Sequence, residues 1–215
     1  MKLNDILTLL LPLLIIPITF YSVSTFGHMA GNAVIGLAYF VCLVKFTKDT
    51  NEKRLMIMLS IFITLFEKVS VAIGSYAYIG LSDVPMWISL GWSIVALYLL
   101  RNVQIFKKLD RKYVYVLASI FYLLIWAYSG FKLDLLMPSV FAVLGIYVVS
   151  SASKLPDAFF LATSFIGIVL EYFGTSFKLW TYFNPDGSTM AAPLAALGLG
   201  YISAIIFGIW ISHVE

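Results

Sequence analysis

The hydrophobic pattern along this chain is continuous rather than alternating. Apolar runs recur at 6–26, 29–46, 55–80, 84–104, 113–130, 132–150, 157–183 and 190–212, each close to the roughly 20 residues that a membrane-crossing helix needs. Runs of this length without period-two alternation predict helices, and no strand is expected. The breaks carry turn and cap chemistry: Gly27 divides the first pair of runs, and Asn184-Pro185-Asp186-Gly187 is the clearest turn. Ser82-Asp83 ahead of Pro85, and Pro156-Asp157, read as helix starts with proline in the first turn. Pro12 and Pro17 kink the first run, which reads as a span and not as a cleaved signal, since no small-x-small site follows it cleanly. The expected fold is an all-α polytopic membrane protein of about eight helices.

Composition agrees with this. Hydrophobic residues make up 61% and charged residues 12% of the chain, with a mean hydropathy of +0.97; a soluble domain carries about twice that share of charge. The net charge of +3 is small and its basic residues are gathered in gaps between runs, so no nucleic-acid partner is indicated. Lys45, Lys48, Lys53 and Arg54 flank the second gap, Arg101, Lys107, Lys108, Arg111 and Lys112 the fourth, with Lys154 in the sixth and Lys2 at the start. Only Lys68, Lys132 and Lys178 fall on the other side. The expected orientation therefore places both termini and the even gaps in the cytoplasm, in the plasma membrane of a prokaryote. Cys42 is the single cysteine, and His28 and His213 stand alone. No disulfide, metal site or cofactor is expected.

An internal echo organises the chain. A shift of 104 residues lays Glu67 on Glu171, Gly74 on Lys178, Tyr76 on Trp180 and Tyr78 on Tyr182, and Leu90-Gly91-Trp92 returns as Leu199-Gly200-Tyr201 after a short insertion. The chain is thus expected to form one membrane domain of two parallel four-helix repeats, 1–104 and 105–215, related by a pseudo-two-fold along the membrane normal.

Each repeat carries an acid inside an apolar run, which is costly and is by default a functional feature. Helical spacing groups Ser60, Thr64, Glu67, Gly74 and Tyr78 on one stripe, and Ser164, Gly167, Glu171, Thr175, Lys178 and Tyr182 on another. Two readings stay open. In the structural one, Glu67 pairs with Lys68 or Lys178 across the bundle, Lys178 snorkels to the surface, Asp134 is a first-turn helix acid, and the aromatic residues form an interfacial belt. In the functional one, Glu171 is a general acid, Glu67 its counterpart or a water-orienting base, and Tyr76, Tyr78, Trp87, Trp92, Trp180, Tyr182, Lys68 and Lys178 line a substrate site. Aromatic faces stabilise a developing cation, and a neutral carboxylic acid in an apolar site is a strong donor.

Glu171-Tyr172-Phe173-Gly174-Thr175, Trp180-Thr181-Tyr182 and Pro193-Leu194-Ala195 resemble carotenoid-biosynthesis membrane proteins of the bisanhydrobacterioruberin hydratase kind, and more loosely the lycopene-cyclase-type membrane domains. Glu67, Tyr76-Ala77-Tyr78, Pro85 and Trp92 look like a second copy of the pattern. The resemblance implies an enzyme that protonates a double bond of a long isoprenoid lipid, followed by water attack or ring closure. Two other classes fit the sequence as well: a small proton-coupled transporter or channel with paired midplane glutamates, and an accessory subunit of a larger membrane complex. Oligomeric state is not legible.

Overall fold

The structure, a computed structural model, describes residues 3–128, 133–152, 155–184, 186–190 and 194–212. Lys132, Lys154, Pro193 and His213 lie outside the described residues. Helices stand at each of the eight predicted runs: α1 (Leu3–Phe26), α2 (His28–Val41, continued by a π-helical turn, Cys42–Phe46), α3 (Thr50–Ala72), α4 (Met86–Arg101), α6 (Arg111–Tyr128), α7 (Leu133–Ala152), α8 (Asp157–Ser176) and α9 (Leu194–Ser212). A short α5 (Val103–Phe106) follows α4. By length and composition His28–Phe46, Thr50–Ala72 and Asp157–Ser176 can each cross a membrane, and the chain is a helical protein that associates with one.

The expectation of no strands is overturned. Tyr76–Tyr78 (β1), Trp180–Phe183 (β2) and Thr189–Met190 (β3) form an antiparallel sheet in the order β1-β2-β3. Helices α3 and α8 stop short of their apolar runs for one local reason. Gly74 is left-handed with φ 76, its N–H bonds the Val71 carbonyl at 3.0 Å and that of Ser75 bonds Ser70 at 3.0 Å. Lys178 is left-handed with φ 55, its N–H bonds Thr175 at 3.0 Å and that of Leu179 bonds Gly174 at 2.9 Å. Both are Schellman endings, and every donor and acceptor of the second lies 104 residues beyond its counterpart in the first. Gly74 and Tyr78 therefore leave the helical stripe assigned to them from sequence, as do Lys178 and Tyr182.

The register of β1 on β2 keeps the same spacing. Tyr76 faces Tyr182, Ala77 faces Thr181 and Tyr78 faces Trp180. The flanking bonds, Ile79 N–H to Leu179 at 2.9 Å and Phe183 N–H to Ser75 at 3.1 Å, exchange places under the same shift. β2 returns to β3 through the turn expected at Asn184–Gly187, where Gly187 has φ 82 and the Asn184 N–H bonds the Ser188 carbonyl at 2.8 Å.

The chain divides into two compact units along lines other than the two halves. One holds Met1–Tyr98, Gly174–Ala191 and Ala204–Glu215; the other holds Leu99–Phe173 and Ala192–Ser203. In the first unit, Leu55, Met56 and Leu59 of α3 are fully buried, and Gly208 lets α9 approach them, since a Cβ there would meet Leu59 at 3.0 Å and Leu55 at 3.3 Å. Ser60 and Thr64 of α3 bond Ser93 and Ser89 of α4, each at 2.8 Å, a polar seam of the kind that joins helices in lipid. Asp49 caps α3 by accepting the Glu52 N–H at 2.9 Å. The cap expected from Ser82-Asp83 on α4 is absent. Asn32 of α2 accepts the Trp87 N–H at 3.0 Å instead, and Asp83 binds its neighbour Val84 N–H at 2.7 Å and the Lys68 ammonium at 3.0 Å. In the second unit α6 packs on α7, and Ala118, Ala142, Ile146, Phe159 and Phe160 are fully buried. Tyr122 of α6 bonds Ser164 of α8 there. Asp157 opens α8 as expected and accepts bonds from Tyr115 at 2.5 Å and Arg111 at 2.9 Å.

The Val84 N–H first, and then Lys68, hold the Asp83 carboxyl below its usual range. A carboxylate depressed on folding favours the folded loop above the ordinary aspartate value of about 4, and that contribution fades as pH falls through the lower, native value. The protection of the Val84 amide, its slowing of exchange relative to the intrinsic rate at the same pH, is therefore expected to fall in acid, and Asp83→Asn to remove the dependence; a protection independent of pH in the parent chain would contradict it.

Candidate functional site

The C-terminal end of α3 sets Glu67 among apolar neighbours. Glu67 is buried at 8% exposure. Two donors come from β1. Because the chain turns at Gly74 and runs on extended, Tyr76 and Tyr78 point to one face of the strand and both hydroxyls donate to the same oxygen, Glu67 Oε2, the Tyr78 bond at 2.6 Å. Leaving a buried polar group without its hydrogen-bond partner costs about 1–3 kcal/mol.

The rings of these tyrosines begin an aromatic wall. Tyr76 packs against Tyr182 at 5.3 Å and Tyr78 against Trp180 at 5.9 Å, edge-on, so both cross-strand pairs lie on the buried face of the sheet. Trp180 continues to Trp87 at the start of α4 at 6.1 Å and to Phe20 of α1 at 6.1 Å. Gly174 makes room for this arrangement, because a Cβ there would collide with the Trp180 ring. His28 stacks on Trp87 at 6.4 Å; its Nδ1 accepts the Trp87 indole N–H at 3.3 Å and its Nε2 donates to the Ile79 carbonyl at 3.1 Å.

Glu171 of α8, in the other unit, is buried at 6% exposure. Its Oε1 accepts the hydroxyl of Tyr201 from α9, and the Tyr201 ring lies on Gly167, one turn before the glutamate, where a Cβ would collide with it. Gly167 and Tyr201 are a matched pair: the small residue admits the ring that brings the hydroxyl.

Of the residues expected to line a site, Tyr76, Tyr78, Trp87, Trp180 and Tyr182 gather on Glu67. Trp92 is buried on α4. The two lysines are placed differently. Lys68 turns away from Glu67 to an exposed ion pair with Asp83, so the Glu67–Lys68 pairing considered from sequence is not formed. Lys178 is exposed and occupies the left-handed position that ends α8. Tyr201, Phe20 and His28 belong to these surroundings and were not on the expected lining. Tyr201 was legible as the counterpart of Trp92, whereas nothing local marks Phe20 or His28. No cluster of His, Cys, Asp and Glu able to hold a metal ion occurs among the described residues. No family model, curated protein or solved structure matches the chain.

The turn chemistry separates a backbone role for Lys178 from a ligand-binding one. A side chain in the left-handed region costs roughly 1–2 kcal/mol, so Lys178→Gly is expected to raise the melting temperature in detergent. Gly74→Ala is expected to lower it by a conformational cost alone, since nothing lies within 4 Å of a Cβ there. A Lys178→Gly protein less stable than the parent would show that the lysine side chain makes a net stabilising contact.

Proposed function

We propose that the chain is an integral membrane enzyme of two duplicated four-helix halves that acts on an apolar, isoprenoid-type lipid by protonating a double bond. The observation that carries this reading is the setting of Glu67: a buried carboxyl gripped by Tyr76 and Tyr78 beneath the rings of Tyr182, Trp180, Trp87 and Phe20. Its proton passes to one alkene carbon and leaves a cation on the other, which aromatic faces stabilise by about 0.5–2 kcal/mol each. Water then adds to the cation and returns a proton to the carboxylate, or a second double bond closes on it and the new cation gives a neighbouring proton back to the carboxylate. The sequence pattern put the general acid at Glu171. The gathering of Trp180 and Tyr182 around the other glutamate's tyrosines favours Glu67 as the donor, with Glu171 and Tyr201 as the counterpart pair.

Support for the duplication comes from the two Schellman endings and from the register that sets Ala77 opposite Thr181, a residue 104 positions on. An antiparallel pair centred on equivalent residues is what a local two-fold axis generates. The same axis along the membrane normal fits eight spans with both termini on the basic, cytoplasmic side.

The test is turnover of a long polyene or polyprenoid by purified protein in lipid, with products identified by mass spectrometry. Glu67→Gln is expected to reduce turnover by roughly 10²–10⁴-fold while substrate is still retained. Tyr76→Phe and Tyr78→Phe each cost roughly tenfold. Full turnover by Glu67→Gln would remove Glu67 as the acid. A second reading, a proton-coupled transporter, is favoured by the hydroxyl seam of Ser60, Ser93, Thr64 and Ser89 on the helix that carries Glu67. Its signature is flux in proteoliposomes that follows an imposed pH gradient and stops in Glu67→Gln.

A further inference from the structure

The unit built on α6, α7 and α8 holds an open groove of about 470 Å³ lined by Arg111, Lys112, Tyr115, Val143, Leu144 and Tyr147. We propose that this groove binds the phosphate headgroup of an anionic membrane lipid, with the lipid's first acyl carbons along Val143 and Leu144. The inference is independent of the reaction proposed above.

The cationic end of the groove is built, not loose. Arg111 Nε donates to Asp157 at 2.9 Å and Nη2 to Ser151 at 3.2 Å, while the guanidinium carbon lies 5.0 Å from the centre of the Tyr147 ring and 5.8 Å from that of Tyr115. Asp157 is in turn held by Tyr115 and Ser150. Two helix starts and a helix end thus fix one planar cation against two aromatic rings, and planar guanidinium is suited to phosphate oxygens.

Charge supplies the second argument. Asp157 matches the charge of Arg111, so the surplus comes from Lys112 beside it and from Lys107 and Lys108 in the preceding exposed turn, against Asp110 alone. The Lys112 ammonium has no ion-pair partner among the described residues, whereas its backbone N–H is taken by Asp110 at 2.8 Å. An anion is therefore attracted to this mouth. The remaining walls are aliphatic and aromatic, and they give a free phosphate ion nothing. A phosphate carried on a hydrocarbon chain satisfies both ends, and clustered Lys and Arg at the end of a membrane helix contribute to anionic-lipid binding in this way.

The full-length protein, purified in a neutral detergent, is to be titrated with phosphatidylglycerol and with phosphatidylcholine, and bound lipid counted by native mass spectrometry. Arg111 is left intact, because its removal would strand the Asp157 carboxylate; Lys112→Gln and Leu144→Trp, both at exposed positions, weaken the charge and fill the groove. The expected result is preferential retention of phosphatidylglycerol, reduced about fivefold by Lys112→Gln and lost in Leu144→Trp. Equal retention of the two lipids overturns the proposal. So does binding that survives Leu144→Trp, which would mean diffuse surface charge and no groove. Displacement of the lipid by millimolar inorganic phosphate would assign the site to the free ion and overturn the lipid as its occupant.

Discussion

A carboxyl group inside an apolar helix must find hydrogen-bond donors within a few ångströms, and this requirement shapes the unit around Glu67. On its own helix the hydroxyls of Thr64 and Ser70 bind Ser60, Ser89 and the Phe66 carbonyl, and Lys68 is committed to Asp83. Two donors lie nine and eleven residues on. Had α3 continued, Tyr78 would stand about 16 Å further along the axis at 1.5 Å per residue, out of reach of its own hydroxyl. The helix has to stop, and the left-handed Gly74 stops it. An extended segment then has to follow, because only a period of two puts both hydroxyls on one side. The early helix end and the strand are what bring both tyrosine hydroxyls to one buried acid.

This explains which parts of the fold could be read in the sequence. Helices are set by long apolar runs, and the runs locate them to within a few residues. The strands could not be read this way. β1 and β2 are three and four residues long, sit at the tail of an apolar run, and owe their extended form to pairing with a segment 104 residues away. Local pattern carries no trace of such a partner. Gly74 was a turn signal that the continuing apolar run Ser75 to Leu81 concealed, and Lys178 gave none, because a lysine says nothing of φ. The candidate site divides likewise. The tyrosines and tryptophans near each glutamate were legible from repetition, but their assignment was not: helical spacing put Tyr78 and Tyr182 on stripes that the turns break. Asn32 as the cap of α4 was not legible either, since its partner Trp87 lies 55 residues on.

The strands that follow the two glutamate-bearing helices differ at their first residue. Where β1 begins with Tyr76, β2 begins with Trp180. A tyrosine at that place gives Glu67 its hydroxyl; a tryptophan presents an indole whose bulk rests on Gly174. Glu171 takes its tyrosine from a helix, through the contact of Tyr201 with Gly167. Gly74 and Lys178 differ in the same sense, one suited to its left-handed backbone and the other strained in it. The two helix ends keep one backbone geometry while the side chains on them differ.

Pairing across 104 residues also bears on how the aromatic wall is completed. Closing a chain of about 100 residues instead of 10 costs about 2 kcal/mol more by loop entropy, which is modest. Leaving the strands unpaired costs more: in apolar surroundings each bare N–H or C=O costs several kcal/mol, and the Ile79 and Phe183 N–H groups find their acceptors only across the join. The first half of the chain contains Glu67, Tyr76 and Tyr78 in full, yet it cannot satisfy the backbone that presents them. The second half supplies that partner and, in the same strand, the Trp180 and Tyr182 rings that continue the wall. The hydrogen bonds that close the sheet and the side chains that surround the acid come from one strand, so the acid acquires its aromatic lining only when the sheet is made.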